Sequence, residues 1–385
     1  MQTKMLMPAL HALCQLLLGL LALVLICVTL LPLLRSDAWW IRILDFPRIQ
    51  FAVLIVLTLM GYIALRSWQG LRPWQYALTA GAGIALLWQL TAIAPYTALY
   101  PKEMPASTAG DVTNRISLLI YNVLADNRQA QALLDLISDT DPDLILLSEP
   151  NQWWLEHLTS LKDDYPYTLL QPQENTYGML LYSRLELVAP EIRFLIEQDV
   201  PSFRSDVRLR SGTLVTLYGI HPRPPGLPRD EDDNITQVKK SEQQQGERED
   251  SDKRDAELML VAKEVKKLGD VPVIVAGDFN DVAWSHTTHL FQRVGGMLDP
   301  RVGRGLYNTY DTRSRILRYP LDHAFASRHF GLAELRRLPD IGSDHLPFLV
   351  VFDYDPNAVK PEDKPKADAE DEQEASEAIK KGKAR

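Results

Sequence analysis

Three features of the 385-residue sequence predict an α/β domain preceded by a three-helix transmembrane region. Long apolar runs with few charges fill residues 1–100. Short apolar, β-branched runs alternate with helical spacing from residue 116 to residue 354. Most of those runs stop at a polar side chain. A strand buried on both faces rarely ends that way, because each such group must find a partner. The clearest case is VPVIVAGDFN at 271–280, which breaks at Gly277 and delivers Asp278 and Asn280 on one side of the chain.

The elements follow in order. Runs at about 8–34, 49–65 and 76–94 have membrane-spanning length. The first is too long for the apolar core of a signal peptide. Trp39, Trp40, Trp68 and Trp74 flank the runs, as interfacial aromatic belts do. The expectation is a multi-pass protein of a bacterial inner or plasma membrane, with the lipid bilayer as a partner. Lys4, Arg66 and Arg72 lie on one side of the spans and Arg35, Arg42 and Arg48 on the other, so charge bias gives little preference. Three spans with a cytoplasmic N-terminus place the soluble domain outside the cytoplasm, the arrangement favoured here. Both cysteines, Cys14 and Cys27, fall in the first run, which leaves the soluble part without disulfide or thiolate metal site. The net charge of −9 argues against a general nucleic-acid binder, though a local patch and a metal ion could offset it.

Residues 101–115 have Pro, Ser, Thr and Gly chemistry and read as a linker. The domain proper is expected over 116–354. It begins with a strand from Ile116 that ends at Asn122. A helix over 129–138 follows, with Ala132, Leu133, Leu136 and Ile137 on one face. Next come a buried strand over 143–149 ending in Glu149, then strands over 177–182 and 213–220, the latter followed by His221. The acid-rich stretch 228–255 has almost no apolar residues and reads as a mobile loop. A helix over 256–268 leads into the central strand. A short helix over 284–294 and strands over 321–326 and 347–354 complete the domain. Residues 355–385 mix Lys, Glu, Asp, Ala and Pro, and are expected to be a disordered, solvated tail.

Strand ends or adjoining turns therefore carry Asn122, Glu149, His221, Asp278 with Asn280, and Asp322 with His323. GSDHLP at 342–347 joins them. Each fragment alone is consistent with an ordinary turn. Together, carboxylates and carboxamides without cysteine suit a hard ion such as Mg²⁺ or Mn²⁺. Histidines among them suit proton transfer and phosphate binding. The combination describes metal-assisted hydrolysis of a phosphate ester.

The same motifs, Asn122, Ser148-Glu149, Gly219-Ile-His221, Gly277-Asp-Phe-Asn280, Leu321-Asp-His323 and Ser343-Asp-His345, occur in the order of the endonuclease/exonuclease/phosphatase superfamily. The chain between Ile116 and Phe352 resembles that superfamily, as a membrane-anchored, bacterial-type member. The resemblance implies a DNase I-like four-layer α/β/β/α sandwich, with two mixed sheets face to face and helices outside. It assigns Glu149, with Asn122 and Asp344, to the metal. Asp278 would orient or deprotonate the attacking water, and Asn280 would hydrogen-bond a phosphate oxygen. His345 would contact the scissile phosphate, held by Asp322, and His221 would bind phosphate from the other side. Leu124 and His221 depart from the apurinic endonucleases and point away from abasic-site repair.

Before the Asp322 strand, Arg301, Arg304, Arg313, Arg315 and Arg318 alternate with Tyr307, Tyr310 and Tyr319. They could bind substrate, as a second phosphate or a stacked base, or form a solvated loop. His286 and His289 are expected at the surface or in packing, and His323 reads equally as a group of the site or as a strand residue facing solvent. The expected activity is a membrane-anchored, Mg²⁺-dependent phosphoester hydrolase acting on a phospholipid head group, a nucleic acid or a small phosphodiester. A nonspecific nuclease and a catalytically inactive membrane scaffold are the alternatives.

Overall fold

The computed structural model describes residues 2–69, 71–108, 111–226 and 250–384. It divides into two units, Met1–Thr97 and Ala98–Arg385. The loop expected at 228–255 lies largely outside the described residues.

The first unit holds α1 (Gln2–Leu30), the short α2 (Trp39–Arg42), α3 (Arg48–Gln69) and α4 (Pro73–Ile93). Segments Ala9–Leu34, Arg48–Leu65 and Pro73–Tyr96 are long and apolar enough to cross a membrane. Small and branched residues make the contacts between helices, with Leu25, Ile55, Ala82 and Ala85 clustered at the centre. Leu16, Leu20, Ile63, Ile84 and Leu87 point outward instead. A water-soluble bundle buries such residues, whereas a lipid-facing one exposes them. Two hydrogen bonds join buried polar groups between helices: Gln89 Nε2 donates to Thr29 Oγ1 at 3.0 Å, and Arg48 donates to Gln89 Oε1 at 3.2 Å.

In the second unit the continuous apolar runs become central strands. Its elements are β1 (Arg115–Asn122), α5 (Ala130–Thr140), β2 (Leu144–Ser148), α6 (Gln152–His157), α7 (Leu161–Asp164), β3 (Tyr167–Gln171) and β4 (Met179–Ser183). Then come β5 (Leu187–Arg193), β6 (Ser202–Arg208), β7 (Leu214–Ile220), α8 (Asp252–Leu268), β8 (Val273–Asp278) and α9 (His286–Gly295). The last are β9 (Asp322–Ala326), β10 (Phe330–Arg337), β11 (Phe348–Tyr354) and α10 (Ala369–Ala384). One sheet has the order β10-β11-β1-β2-β4-β3 and the other β5-β6-β7-β8-β9.

Alternate side chains of each central strand face opposite layers. Leu118 and Ile120 of β1 meet Leu217 of β7 and Ile274 of β8 in the core between the sheets. Leu119 and Tyr121 pack outward on Leu133 and Ile137 of α5 and on Trp154 of α6. On the other outer face, Val273 and Val275 of β8 meet Leu258 and Ala262 of α8, Phe291 of α9 and Ala375 of α10. The result is the four-layer α/β/β/α sandwich. The pairs β1/β2 and β7/β8 are parallel, and β9 and β11 run antiparallel to their neighbours β8 and β1. The last residues of four strands and the first residues of two therefore share one edge of the sandwich.

Three expectations are corrected. The tail at 355–385 is not disordered throughout, because α10 docks on α8 and α9. Ala375 is fully buried there, and Arg293 makes a two-pronged ion pair with Asp371 at 2.8 Å. The linker at 101–115 is partly core. Met104 is fully buried, Ala106 bridges to Leu332 of β10, and Ser107 N donates to Leu332 O at 2.8 Å. The end of the acid-rich stretch, 252–255, forms the first turn of α8, where its aspartates favour the helix N-terminus.

Candidate active site

Two backbone features aim the strand ends at one point. Gly277 has φ +138°, and a Cβ there would lie 2.0 Å from Ile220 O. Only glycine lets β7 and β8 approach this closely as they end, and His221 falls beside Asp278 as a result. Glu149 follows β2 at φ +63°, a left-handed conformation that costs a non-glycine residue energy and is typical of functional turns. Its N–H is tied to Gly178 O at 2.9 Å. That turn swings the carboxylate away from β4 and toward Asn122.

The side chains then form one connected cluster. Asn122 Nδ2 donates to Glu149 Oε1 at 2.8 Å and to Asp278 Oδ2 at 3.1 Å. His221 Nε2 stands 4.0 Å from Glu149 Oε1 and 3.9 Å from Asp278 Oδ2. His345 Nε2 lies 3.5 Å from the same Asp278 oxygen, and its Nδ1 lies 2.8 Å from Asp322 Oδ2. All six side chains are buried. Ser343, part of a sequence motif but given no role there, braces the arrangement: its hydroxyl donates to Asn122 O at 2.7 Å and accepts from His345 N at 3.1 Å.

Burial sets the electrostatics. It lowers the proton affinity of the His345 imidazole, but the carboxylates of Asp322 and Asp278 outweigh it and push the pKa up to about 10. Burial also raises the Asp278 carboxyl, which Asp322 raises further and the two histidines partly offset. His345 therefore carries its proton at neutral pH. Asp322 Oδ1 is buried without a hydrogen-bond partner among the described residues, so its charge is compensated through Oδ2.

The structure brings together Asn122, Glu149, His221, Asp278, Asp322 and His345, and treats the remaining expected residues differently. Asn280 (φ +52°) lies beside the cluster, but its Nδ2 donates to Pro222 O at 2.9 Å. Asp344 lies 3.8 Å from Arg313 Nη2 and 3.4 Å from Ser343 Oγ. Arg301 is corrected outright. It is 1% exposed and forked onto Asp299 at 2.9 Å, so it cannot reach a substrate. Arg304 is likewise spent, on Met104 O and Pro300 O. Arg318 donates to Asp311 O and Thr312 O. Arg315 is exposed. Arg313 is 71% exposed at the mouth and also pairs with Asp311. Tyr310 stands over the site with its ring 4.9 Å from that of His345. His323, which the sequence left open between the site and solvent, is fully buried. On the opposite rim, Arg223 stacks on Tyr177, whose ring lies 6.1 Å from His221.

A family model described as Endonuclease/Exonuclease/phosphatase family matches residues 119–345. Among solved structures, the human Nocturnin catalytic domain with bound sulfate anion is 16% identical, over 63% of this chain and 95% of its own, with a TM-score of 0.47. D. rerio TDP2 complexed with single-strand DNA product is 17% identical, over 62% and 99%, with a TM-score of 0.45. A mannosyl-6-phosphatase from Bacteroides thetaiotaomicron is 17% identical, over 62% and 100%, with a TM-score of 0.43. At these identities the likeness is one of fold alone. No curated protein matches the sequence.

Proposed function

Because the chain belongs to the Endonuclease/Exonuclease/phosphatase family of phosphoester hydrolases, we propose that it is a membrane-anchored phosphoesterase dependent on a divalent cation. The observation that carries this reading is the buried cluster itself. Glu149, Asp278 and Asp322 place three carboxylates around Asn122 and two histidines.

This oxygen-rich, thiolate-free set fits a hard ion such as Mg²⁺ or Mn²⁺. Asp278, Asp322 and His345 come within 4.8 Å of one another. A protonated imidazole has no lone pair to lend, however, so Asn122 and Glu149 are the residues that would hold the ion. Asp344, drawn to Arg313, is not assigned to it. When bound, the ion neutralises negative charge developing on the phosphoryl oxygens.

The chain's own groups do the rest. His345 keeps its proton well above neutral pH and presents Nε2–H to a phosphoryl oxygen. Asp322 fixes that ring's orientation through Nδ1. Asp278, made more basic by burial, takes a proton from the attacking water. His221 and Asn280 bind phosphate oxygens from the other side. The apolar helices favour a lipid-derived phosphoester presented at the bilayer as substrate.

The test is hydrolysis by the full chain in detergent of bis(p-nitrophenyl) phosphate and p-nitrophenyl phosphate, with Mg²⁺, Mn²⁺ or EDTA. Metal-dependent cleavage of the diester supports a phosphodiesterase, and cleavage of the monoester alone a phosphatase. Brisk DNA cleavage that weakens steeply with salt, without phospholipid cleavage, would replace the lipid substrate by nucleic acid. Silence on every ester with every metal overturns the reading.

A further inference from the structure

A second set of buried groups lies behind the cluster, and the chemistry above does not use it. His323 neighbours Asp322 on β9. Its Nε2 is 2.9 Å from Asp281 O, and its Nδ1 is 2.6 Å from Arg301 Nη2. A carbonyl oxygen can only accept and a guanidinium can only donate. The ring is therefore the neutral tautomer with its proton on Nε2. Burial, with the Arg301 charge added, keeps the imidazolium form from arising.

Arg301 is itself fixed by its fork onto Asp299, and its Nη1 donates to Asp322 O at 3.3 Å. One guanidinium thus holds the backbone of Asp322 directly and the carbonyl of Asp281 through His323. On the far side of the same turn, Arg254 Nη1 donates to Asn280 O at 2.8 Å. The β8–β9 ladder ends at the pair Asp278–Asp322. Beyond it, residues 279–281 leave the sheet, and these side chains take over the positioning.

We infer that Arg301 and His323 are positioning residues for the reaction proposed above, forming a relay that fixes the 278–281 turn against Asp322. The relay sets where Asp278 stands relative to His345, now 3.5 Å apart. Misplacement of reacting groups by about 1 Å costs on the order of a hundredfold in rate. The guanidinium that the basic stretch offers as a phosphate ligand works instead from behind the site.

The test compares His323→Gln, His323→Met and wild type as the full chain in detergent. Glutamine keeps one acceptor for Arg301 and one donor for Asp281 O. Methionine fills the space and offers neither a donor nor a strong acceptor. Hydrogen exchange followed by mass spectrometry should show amides 279–282 at least about tenfold faster in H323M, with the 273–276 strand and the H323Q turn unchanged. With Mg²⁺ and bis(p-nitrophenyl) phosphate, kcat of H323M should fall about a hundredfold at a KM within about twofold of wild type. H323Q should stay within about threefold. Unchanged turn exchange in folded H323M overturns the relay whether or not any ester is cleaved. So does an H323Q as impaired as H323M. If H323M does not fold, Asp299→Asn, which loosens the Arg301 fork, must speed the same amides or the relay fails. An inactive wild type whose turn exchange still responds would remove the phosphoesterase reading and leave the positioning intact.

Discussion

Replacing Asp322 by asparagine isolates the charge that keeps His345 protonated. The amide oxygen can still accept from Nδ1–H at the 2.8 Å now spanned by the carboxylate, so the ring keeps its orientation and loses only its counter-ion. Two unit charges about 4 Å apart interact by about 4 kcal/mol at an effective dielectric constant of about 20. That makes the proton of His345 roughly a thousandfold easier to lose. The imidazole, held at about 10 in the native site, would then titrate near neutrality. A raised histidine is protonated below its folded pKa and loses its charge as pH rises through it, so the effect must appear on the alkaline side. Profiles of kcat/KM against pH, measured with saturating Mg²⁺ between about pH 6 and 10, report it. Wild type should hold its activity until close to pH 10. The variant should decline from near neutrality and lie about a hundredfold below wild type at about pH 9. An alkaline limb that stays in place would refute the assignment of His345 as the protonated group and of Asp322 as its support.

Glu149→Ala should abolish calorimetrically detectable Mn²⁺ binding and turnover while leaving the unfolding midpoint within a few degrees, since it removes repulsion among buried carboxylates along with the ligand. Gly277→Ala forces a Cβ to 2.0 Å from the Ile220 carbonyl at a glycine-only φ. Denaturant unfolding should show a loss of about 4 kcal/mol or more, or no folded protein. Burial, with Glu197 adding and Arg193 opposing, raises Glu257 to about 8. Folding therefore takes up a proton, so stability is greatest below the unfolded carboxyl pKa and falls as pH rises toward 8, by at most about 5 kcal/mol. Urea midpoints of Glu257→Gln should be nearly flat across that window and higher than wild type at pH 8. Deleting 369–384 should lower the thermal midpoint by several degrees, because it uncovers the apolar face around Ala375 and strands Arg293. A disordered tail would leave it unchanged.

What could be read from the sequence divides along burial. β1, β2, β7 and β8 are mostly buried and apolar, so both their type and the polar residue at or just after each end stand out. The ends then locate the site, because parallel neighbours must finish on the same edge. β5 and β10 are largely exposed over part of their length and carry the polar sequences LVAPEIR and FGLAELRR. Their strand character comes from pairing with β6 and β11, which no local pattern records. α10 was hidden for a related reason. AEDEQEASEAIKKGKA has the composition of a solvated segment, and its few apolar contacts act only because α8 and α9 offer a matching face. Arg301 and Arg313 look equivalent in a basic stretch, yet one is buried and one exposed. Each is forked onto an aspartate two residues earlier, Asp299 or Asp311, so the difference is made by His323 and the Asp322 carbonyl, partners supplied by β9.

The same residues connect the site to the segment that follows the third apolar helix. Glu103 Oε2 accepts from Asp299 N at 2.8 Å, and Arg304 donates to Met104 O at 2.8 Å. Burial raises Glu103 to about 8, more than the Asp299 N–H bond lowers it. The carboxyl is therefore largely neutral at pH 7 and adds little repulsion to the Asp299 carboxylate. Asp299 receives the Arg301 fork, and Arg301 in turn holds the Asp322 carbonyl and the His323 ring. A segment whose Pro, Ser and Gly content suggests a slack tether is in fact the outer end of a hydrogen-bonded path. The path runs from Glu103 through Asp299 and Arg301 to the backbone beneath the Asp322–His345 pair. Its composition reports the absence of helix and sheet periodicity, but not the absence of structure.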